Sequence, residues 1–343
     1  CCVVTNQPVV ARGDVSMAGL RNIHAKMETV LGRSGAYLDR VYLCPHHPHR
    51  GFAGERPELK IECVCRKPAT GMLEQAGRDF NVETGASWMI GDSSVDMETA
   101  RRAGVRSMLV ETGHGGLDRR WWTRPDYVAP DLAAAVAFIL DDHPRLLARC
   151  EPFVAQIPSA GLVLVGGQSR SGKSTFASAL RDTLCAAGRS AQVLCIDRWL
   201  RDEADRGPGV AGRYDLPALE ALMQRLGDSA RRSERIDLPA YDRLERRSVA
   251  DTDTLTLHPD EVLIVEGTIA LALTEAVGAD AARFFVRRDE PTRLARLQRE
   301  YRLRGFEPDE IEALYRARLE DEVPFIDATA GDAHIPDLDE YST

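Results

Sequence analysis

The sequence predicts an α/β protein of two domains, each a parallel sheet flanked by helices. Three observations carry this. The chain has 343 residues, more than one ordinary domain, and its composition, 44% hydrophobic and 28% charged, is that of a globular protein. Short apolar stretches of strand length alternate with amphipathic stretches of helical length, the signature of parallel βα units. This alternation is interrupted once, at the polar Asp141-Asp142-His143-Pro144, and then starts again.

In the first half a buried strand is expected over 1–5, opening so abruptly that a preceding piece of chain is expected too. A helix over 17–31 and a strand over 40–43 follow, then a Pro/His/Gly-rich loop from Cys44 to Pro57. A helix over 71–80, a strand over 87–90, a helix over 95–103, a strand over 106–110 and a closing helix over 130–140 complete the unit. Residues 1–143 are thus read as the first domain, 144–159 as a linker and 160–343 as the second domain. In the second, strands are expected over 161–165, 190–196, 261–265 and 283–286, and helices over 173–187, 291–304 and 308–321.

A net charge of −9 supplies no footprint for a polyanion, so nucleic acid is not an expected partner. No apolar run reaches about eighteen residues and no signal segment opens the chain, so neither membrane nor secretion is indicated and the cytoplasm is expected. Of the eight cysteines, Cys1, Cys2, Cys150, Cys185 and Cys195 lie in or beside apolar runs and read as small buried hydrophobes. Cys44, Cys63 and Cys65 do not.

The string Gly167-Gln168-Ser169-Arg170-Ser171-Gly172-Lys173-Ser174, followed by Thr175, lies between an apolar strand and a helix. In that context it is a phosphate-binding loop. Its glycines let backbone N–H groups close around phosphate oxygens, Lys173 reaches the β/γ-phosphates of ATP, and Ser174 can ligate Mg²⁺. Glu266, ending an apolar strand, supplies the acidic partner that a Mg²⁺ site needs, and Asp197, ending another, is a candidate base for an acceptor hydroxyl. With Tyr214-Asp215, Leu238-Pro239-Ala240-Tyr241-Asp242 and the arginine-rich 293–299, these strings resemble the uridine kinase and phosphoribulokinase family. The resemblance implies that Asp197 is the catalytic base, that Tyr241 and Asp242 help hold the acceptor, and that Arg296 and Arg299 close over the phosphates. Arg170 stands where that family usually has glycine, and Arg198-Trp199-Leu200 replaces its usual Ser-Phe-Tyr, so the acceptor is not carried over.

Three strings of the first half fit one plan for phosphate-ester hydrolysis: Val3-Val4-Thr5-Asn6-Gln7, Cys65-Arg66-Lys67-Pro68 and Ile90-Gly91-Asp92-Ser93-Ser94-Val95-Asp96. Thr5 and neighbouring amides would hold phosphoryl oxygens, Lys67 would neutralise developing charge, and Asp92, with Asp96 supporting, would bind Mg²⁺. Cys44-x-His46 and Cys63-x-Cys65 offer three thiolates and an imidazole, enough for a closed tetrahedral, hence structural, Zn²⁺ site.

Order and wording resemble the haloacid dehalogenase superfamily, in the branch of heptose bisphosphate and histidinol phosphatases. That implies a Rossmann-like domain, a structural zinc site with the C-x-H spacing (His47 and His49 left aside), and substrate contacts from Asn6, Gln7, Arg12 and Arg66. The superfamily's aspartate nucleophile lies on a strand upstream of the Thr-Asn-Gln strand, so the phosphatase half is expected to be inactive as given unless a longer parent supplies it.

The leading reading is a bifunctional enzyme of phosphorylated-sugar metabolism, a phosphatase fused to an ATP-dependent small-molecule kinase. Two alternatives are polynucleotide end repair, a 3′-phosphatase joined to a 5′-kinase, and a nucleotide-sensing regulatory domain.

Overall fold

The computed structural model describes residues 1–227, 233–243, 245–278, 280–303 and 305–336. Arg304, the end of one expected helix, and 337–343, the end of the expected second domain, lie outside the described residues. The chain divides into two compact units, Cys1–Leu132 and Ala133–Thr343.

Unit 1 opens with β1 (Cys2–Asn6), α1 (Pro8–Arg12), α2 (Met17–Arg33) and β2 (Arg40–Cys44). The strands pair in parallel, Cys2 opposite Arg40 through Asn6 opposite Cys44, with α1 and α2 as the crossover. After the loop come α3 (Gly71–Phe80), β3 (Trp88–Gly91), α4 (Ser94–Ala103), β4 (Arg106–Val110) and β5 (Tyr127–Ala129), whose strands form a separate parallel sheet in the order β3-β4-β5. The expectation of a buried first strand is corrected: β1 is half-buried along its whole length. Among the described residues it pairs only with β2, so one edge and part of both faces keep their exposure.

Unit 2 contains α5 (Leu132–Ala137), which begins at the division, and α6 (His143–Val154). A π-helical turn over Phe138–Asp142 joins them, so the stretch read as a linker is largely helical. Pro144 sits in the first turn of α6, where a missing N–H costs nothing, and Leu146 and Cys150 bury the inner face. The sheet is built from β6 (Gly161–Gly166), β7 (Ala191–Cys195), β10 (Val262–Glu266) and β11 (Ala282–Phe285), with α7 (Lys173–Ala186) after β6. Its order is β11-β6-β10-β7, all parallel. Between β7 and β10 come α8 (Leu216–Gly227) and the antiparallel hairpin β8 (Ile236–Asp242) and β9 (Arg247–Leu255), none of which is among the expected elements.

The short α9 (Thr274–Val277) precedes β11, and α10 (Glu290–Leu303) and α11 (Pro308–Ala328) close the described chain. Leu164, Ile196, Leu263, Val265 and Phe285 are at the centre of the core, each completely buried. Of the cysteines read as buried, Cys150 and Cys195 are so, whereas Cys1 and Cys185 are exposed and Cys2 is half-buried.

Candidate functional site

In both units the candidate residues stand at the carboxyl ends of parallel strands, where open α/β sheets hold ligands. Unit 1 brings Thr5 and Asn6, at the end of β1, together with Lys67 from the loop. The Asn6 side chain clasps the Lys67 backbone, donating to its carbonyl at 3.2 Å and accepting from its N–H at 3.0 Å. Lys67 Nζ then donates to Val4 O at 3.1 Å and Asp96 Oδ1 at 2.6 Å.

Asp96 is buried in the first turn of α4, where its other oxygen accepts from the Ser93 backbone at 3.2 Å and hydroxyl at 2.7 Å. That close approach needs Gly91, because a Cβ there would fall 2.4 Å from the Asp96 Cβ. Asp92, between β3 and α4, accepts from the His114 N–H at 2.9 Å. The Gln7 amide donates to Thr5 Oγ1 at 2.9 Å. Two expected substrate contacts are otherwise engaged: Arg66 donates to His46 O at 3.0 Å, and Arg12 to Asp14 at 2.9 Å.

Cys44, His46, Cys63 and Cys65 converge, their four ligand atoms all within 4.8 Å of one another. The pairs Cys44–His46 and Cys44–Cys63 are at 3.6 Å, Cys63–Cys65 at 3.4 Å and His46–Cys65 at 3.3 Å. A tetrahedral ion with metal–sulfur bonds of about 2.3 Å spaces its thiolates about 3.8 Å apart, so the donor set fits zinc in kind, number and size.

Unit 2 assembles its site by sheet register. β10 lies between β6 and β7, with Glu266 beside Val165 and Cys195. Glu266 thereby falls between the loop that follows β6 and Asp197, in the turn that follows β7. Gly167 must be glycine: its φ is +137°, and a Cβ would lie 2.2 Å from Val286 O. α7 starts at Lys173 with no side-chain cap, leaving the amides of its first turn to whatever occupies the loop. Ser174 donates to Glu266 Oε1 at 3.2 Å, with Thr175 half-buried beside it.

Lys173 is buried and folds onto its own loop, Nζ to Gln168 O at 2.9 Å. Burial lowers its pKa, while Glu266 and Asp197 oppose that shift.

Asp197 accepts from the Tyr214 hydroxyl at 3.0 Å on Oδ1 and from Arg243 on Oδ2. Burial and the Asp197 charge raise the Tyr214 pKa well above 10, which keeps the phenol a donor. Asp242, expected to hold an acceptor, is instead buried at the hairpin turn and accepts from Glu245 N at 3.1 Å. Tyr241 accepts from Arg206 through its hydroxyl.

The C-terminal helices pin the loop. Gln168 donates to Asp327 at 2.9 Å, Ser169 to Glu322 at 2.9 Å, and Arg293 to Ser169 O at 3.0 Å. Arg170 pairs with Glu300. Arg296 reaches Arg170 O at 3.5 Å, and burial, with Arg288 and Arg299 near it, pulls its pKa down to about 10. Ser171 is fully buried within the loop, and Gly172 adopts φ +99°. Sequence reasoning missed Arg243, Glu300 and Glu322. Their only signal was charge on helices and a hairpin, which is ordinary for exposed faces.

These two arrangements define a class, a phosphate-ester hydrolase fold joined to a P-loop phosphotransferase fold. The chain belongs to the phosphoribulokinase / uridine kinase family over residues 162–336 and to the HAD-hydrolase-like proteins over 64–135, with relatives among heptose bisphosphatases. The D-glycero-D-manno-heptose-1,7-bisphosphate 7-phosphatase of Thermosynechococcus vestitus is 38% identical over 148 residues, 40% of this chain and 73% of the relative. The Pseudomonas aeruginosa D-glycero-beta-D-manno-heptose-1,7-bisphosphate 7-phosphatase is 36% identical over 113 residues, 33% of this chain and 57% of that protein. Among solved structures, D,D-heptose 1,7-bisphosphate phosphatase from B. bronchiseptica complexed with magnesium and phosphate shares 34% identity, with a TM-score of 0.36. That match covers 41% of this chain and 74% of the other. No helix among the described residues is long and apolar enough to cross a membrane.

Proposed function

We propose that this protein acts on two phosphoryl bonds of phosphorylated-sugar metabolism: unit 1 handles a sugar phosphate ester, and unit 2 transfers the γ-phosphoryl of ATP to a small-molecule hydroxyl. The observation that carries the kinase reading is the convergence of Lys173, Ser174 and Glu266 at the mouth of an uncapped helix, with Asp197 on the adjoining strand end. In the transfer, the acceptor hydroxyl gives its proton to Asp197, its oxygen bonds to the γ-phosphorus, and the bond to the β-phosphate oxygen breaks to release ADP. Gly167 to Thr175 cradle the phosphates, with Arg296 and Arg299 of α10 above them. Ser174 and Glu266 would hold Mg²⁺, which when bound offsets charge on the β- and γ-oxygens.

In unit 1, Thr5 with the backbone around Asn6 and Gln7 would bind phosphoryl oxygens, Lys67 would neutralise them, and Asp92 would hold Mg²⁺. Asp96, with both oxygens taken by Lys67 and Ser93, fits a positioning role for Lys67 better than the metal-ligand role expected of it. Cys44, His46, Cys63 and Cys65 would hold a structural Zn²⁺ that staples the loop.

The test is Mg²⁺-dependent ATP consumption by the full chain over sugars, sugar phosphates and nucleosides. Turnover of at least one acceptor is expected, and turnover insensitive to every acceptor would defeat the kinase reading.

A further inference from the structure

Asp197, the proposed base, stands at one end of a chain of charges that crosses from the phosphate loop to the acceptor side. Arg170 in the loop pairs with Glu300 Oε2 of α10; Glu300 Oε1 lies 3.6 Å from Arg243 Nη1; and Arg243 pairs with Asp197 Oδ2. Two guanidiniums thus face one carboxylate between them.

The arrangement is costly. Arg170 is a non-glycine residue at φ +65°, in the left-handed region that favours glycine. Its Nε is buried with no hydrogen-bond partner among the described residues. Its guanidinium and that of Arg243 also repel across the gap. Nothing in the handling of ATP phosphates calls for Arg243, which stands beyond Asp197 at the β8–β9 turn, and a neutral acceptor would leave that arginine bound to the base.

We infer that the acceptor carries its own anionic group, a phosphate or carboxylate, which takes the place of the Glu300 carboxylate between Arg170 and Arg243. Such a group offers several oxygens to two guanidinium forks, satisfies the orphaned Arg170 Nε, and draws Arg243 off Asp197 Oδ2. The oxygen freed on Asp197 then receives the hydroxyl proton. Glu300 stands in for the substrate anion while the site is empty of it, and gives way with α10 when the anion arrives. This rests on the kinase reading and adds the acceptor's charge class to it.

The experiment compares matched acceptors on the full chain: ribose 5-phosphate against ribose, fructose 6-phosphate against fructose, glycerate against glycerol, with uridine alongside. Turnover by the anionic members is expected. Arg243→Gln should raise their KM about ten- to a hundred-fold, the value of one charge-assisted contact, with kcat changed far less. Glu300→Gln should lower the same KM several-fold, because it removes the competing carboxylate; a merely structural glutamate would not move KM downward. Arg243→Lys, which keeps charge but not the fork, should recover part of the loss. Turnover confined to neutral acceptors, an unchanged KM in Arg243→Gln, or a raised KM in Glu300→Gln overturns the inference and leaves the kinase reading standing. ATP binding without turnover of any acceptor overturns both.

Discussion

Each unit keeps one lysine at its proposed phosphate site, and the two are held in opposite ways. Lys67 of unit 1 is fixed from outside its own loop: Asn6 grips its backbone and Asp96 its ammonium. Lys173 of unit 2 is bonded to its own loop at Gln168 O, while Asp327, Glu322 and Glu300 hold the side chains of Gln168, Ser169 and Arg170. Carboxylates therefore serve two purposes. In unit 1 a buried carboxylate aims a cation at a site that is ready for its ligand. In unit 2 carboxylates from α10 and α11 hold the side chains of the loop in place, while the amides at the start of α7 carry no side-chain cap. The first site is braced through its lysine, the second through the side chains around its loop.

The comparison breaks most readily at Lys173. If this lysine acts only once phosphate has drawn it off Gln168, Lys173→Ala should lower the rate of ATP turnover about a hundred- to a thousand-fold. Its melting temperature should hold or rise, because the charged form is disfavoured by burial. Steady-state turnover and thermal melting check both halves. Unchanged turnover would remove Lys173 from the chemistry.

The next test separates the units. Metal analysis of purified protein should find about one Zn²⁺ per chain, held by the four converging ligands. Cys63→Ser should lose it and melt unit 1 earlier, with ATP turnover retained. Zinc-free protein of normal stability would refute the centre.

Much of this was legible in the sequence. The helix over Gly71–Phe80 and the strand over Arg106–Val110 were expected at the residues where they occur, because each has its own periodicity and a clear stop: Asn81 in a left-handed conformation ends the helix. The string from Gly167 to Ser174 was legible because a glycine-rich loop between strand and helix has few other uses. What stayed hidden depends on packing. β9 carries Arg247, Asp251 and Asp253 and lacks an apolar alternation, and α11 continues past Pro324 because Ile326 is completely buried in the core of unit 2. Arg243, Glu300 and Asp197 are far apart in sequence, and their meeting is set by the sheet and by α10. Asp96 was legible as an acid near the metal aspartate, but not that Ser93 and Lys67 would take both its oxygens.

That last point gives the third test. Lys67 and Asp96 are 14% and 7% exposed in their side chains, so the pair is largely withdrawn from water. Removing one partner leaves a buried charge, and Asp96→Asn should destabilise unit 1 by about 3 kcal/mol in denaturant unfolding. Gly91→Ala, which thrusts a methyl group against Asp96, should do so in the same direction without changing any charge. Loss from Asp96→Asn alone would sharpen the electrostatic reading, loss from both the steric one, and loss from neither would show that Lys67 is not preorganised by this contact.

The smallest expected effect concerns pH. Glu98, on the far side of α4's first turns, is buried; burial alone would raise its pKa, but hydrogen bonds from Arg101, Thr123 and Arg102 prevail and hold it at about 2 instead of its ordinary 4.5. A carboxylate whose folded value is depressed contributes stability that is complete above the unfolded value and is lost as pH falls toward the folded one. Unit 1 should therefore lose stability between pH 4.5 and about 2, and Glu98→Gln should remove part of that dependence. Its arginine partners stand partly in solvent, 50% and 39% exposed, so screening limits the contribution to about 1 kcal/mol, a few degrees of melting temperature. ATP turnover of Glu98→Gln at neutral pH should match the wild type. A Glu98→Gln protein whose melting curve keeps the full slope from pH 4.5 downward would assign the acid sensitivity of unit 1 to other groups.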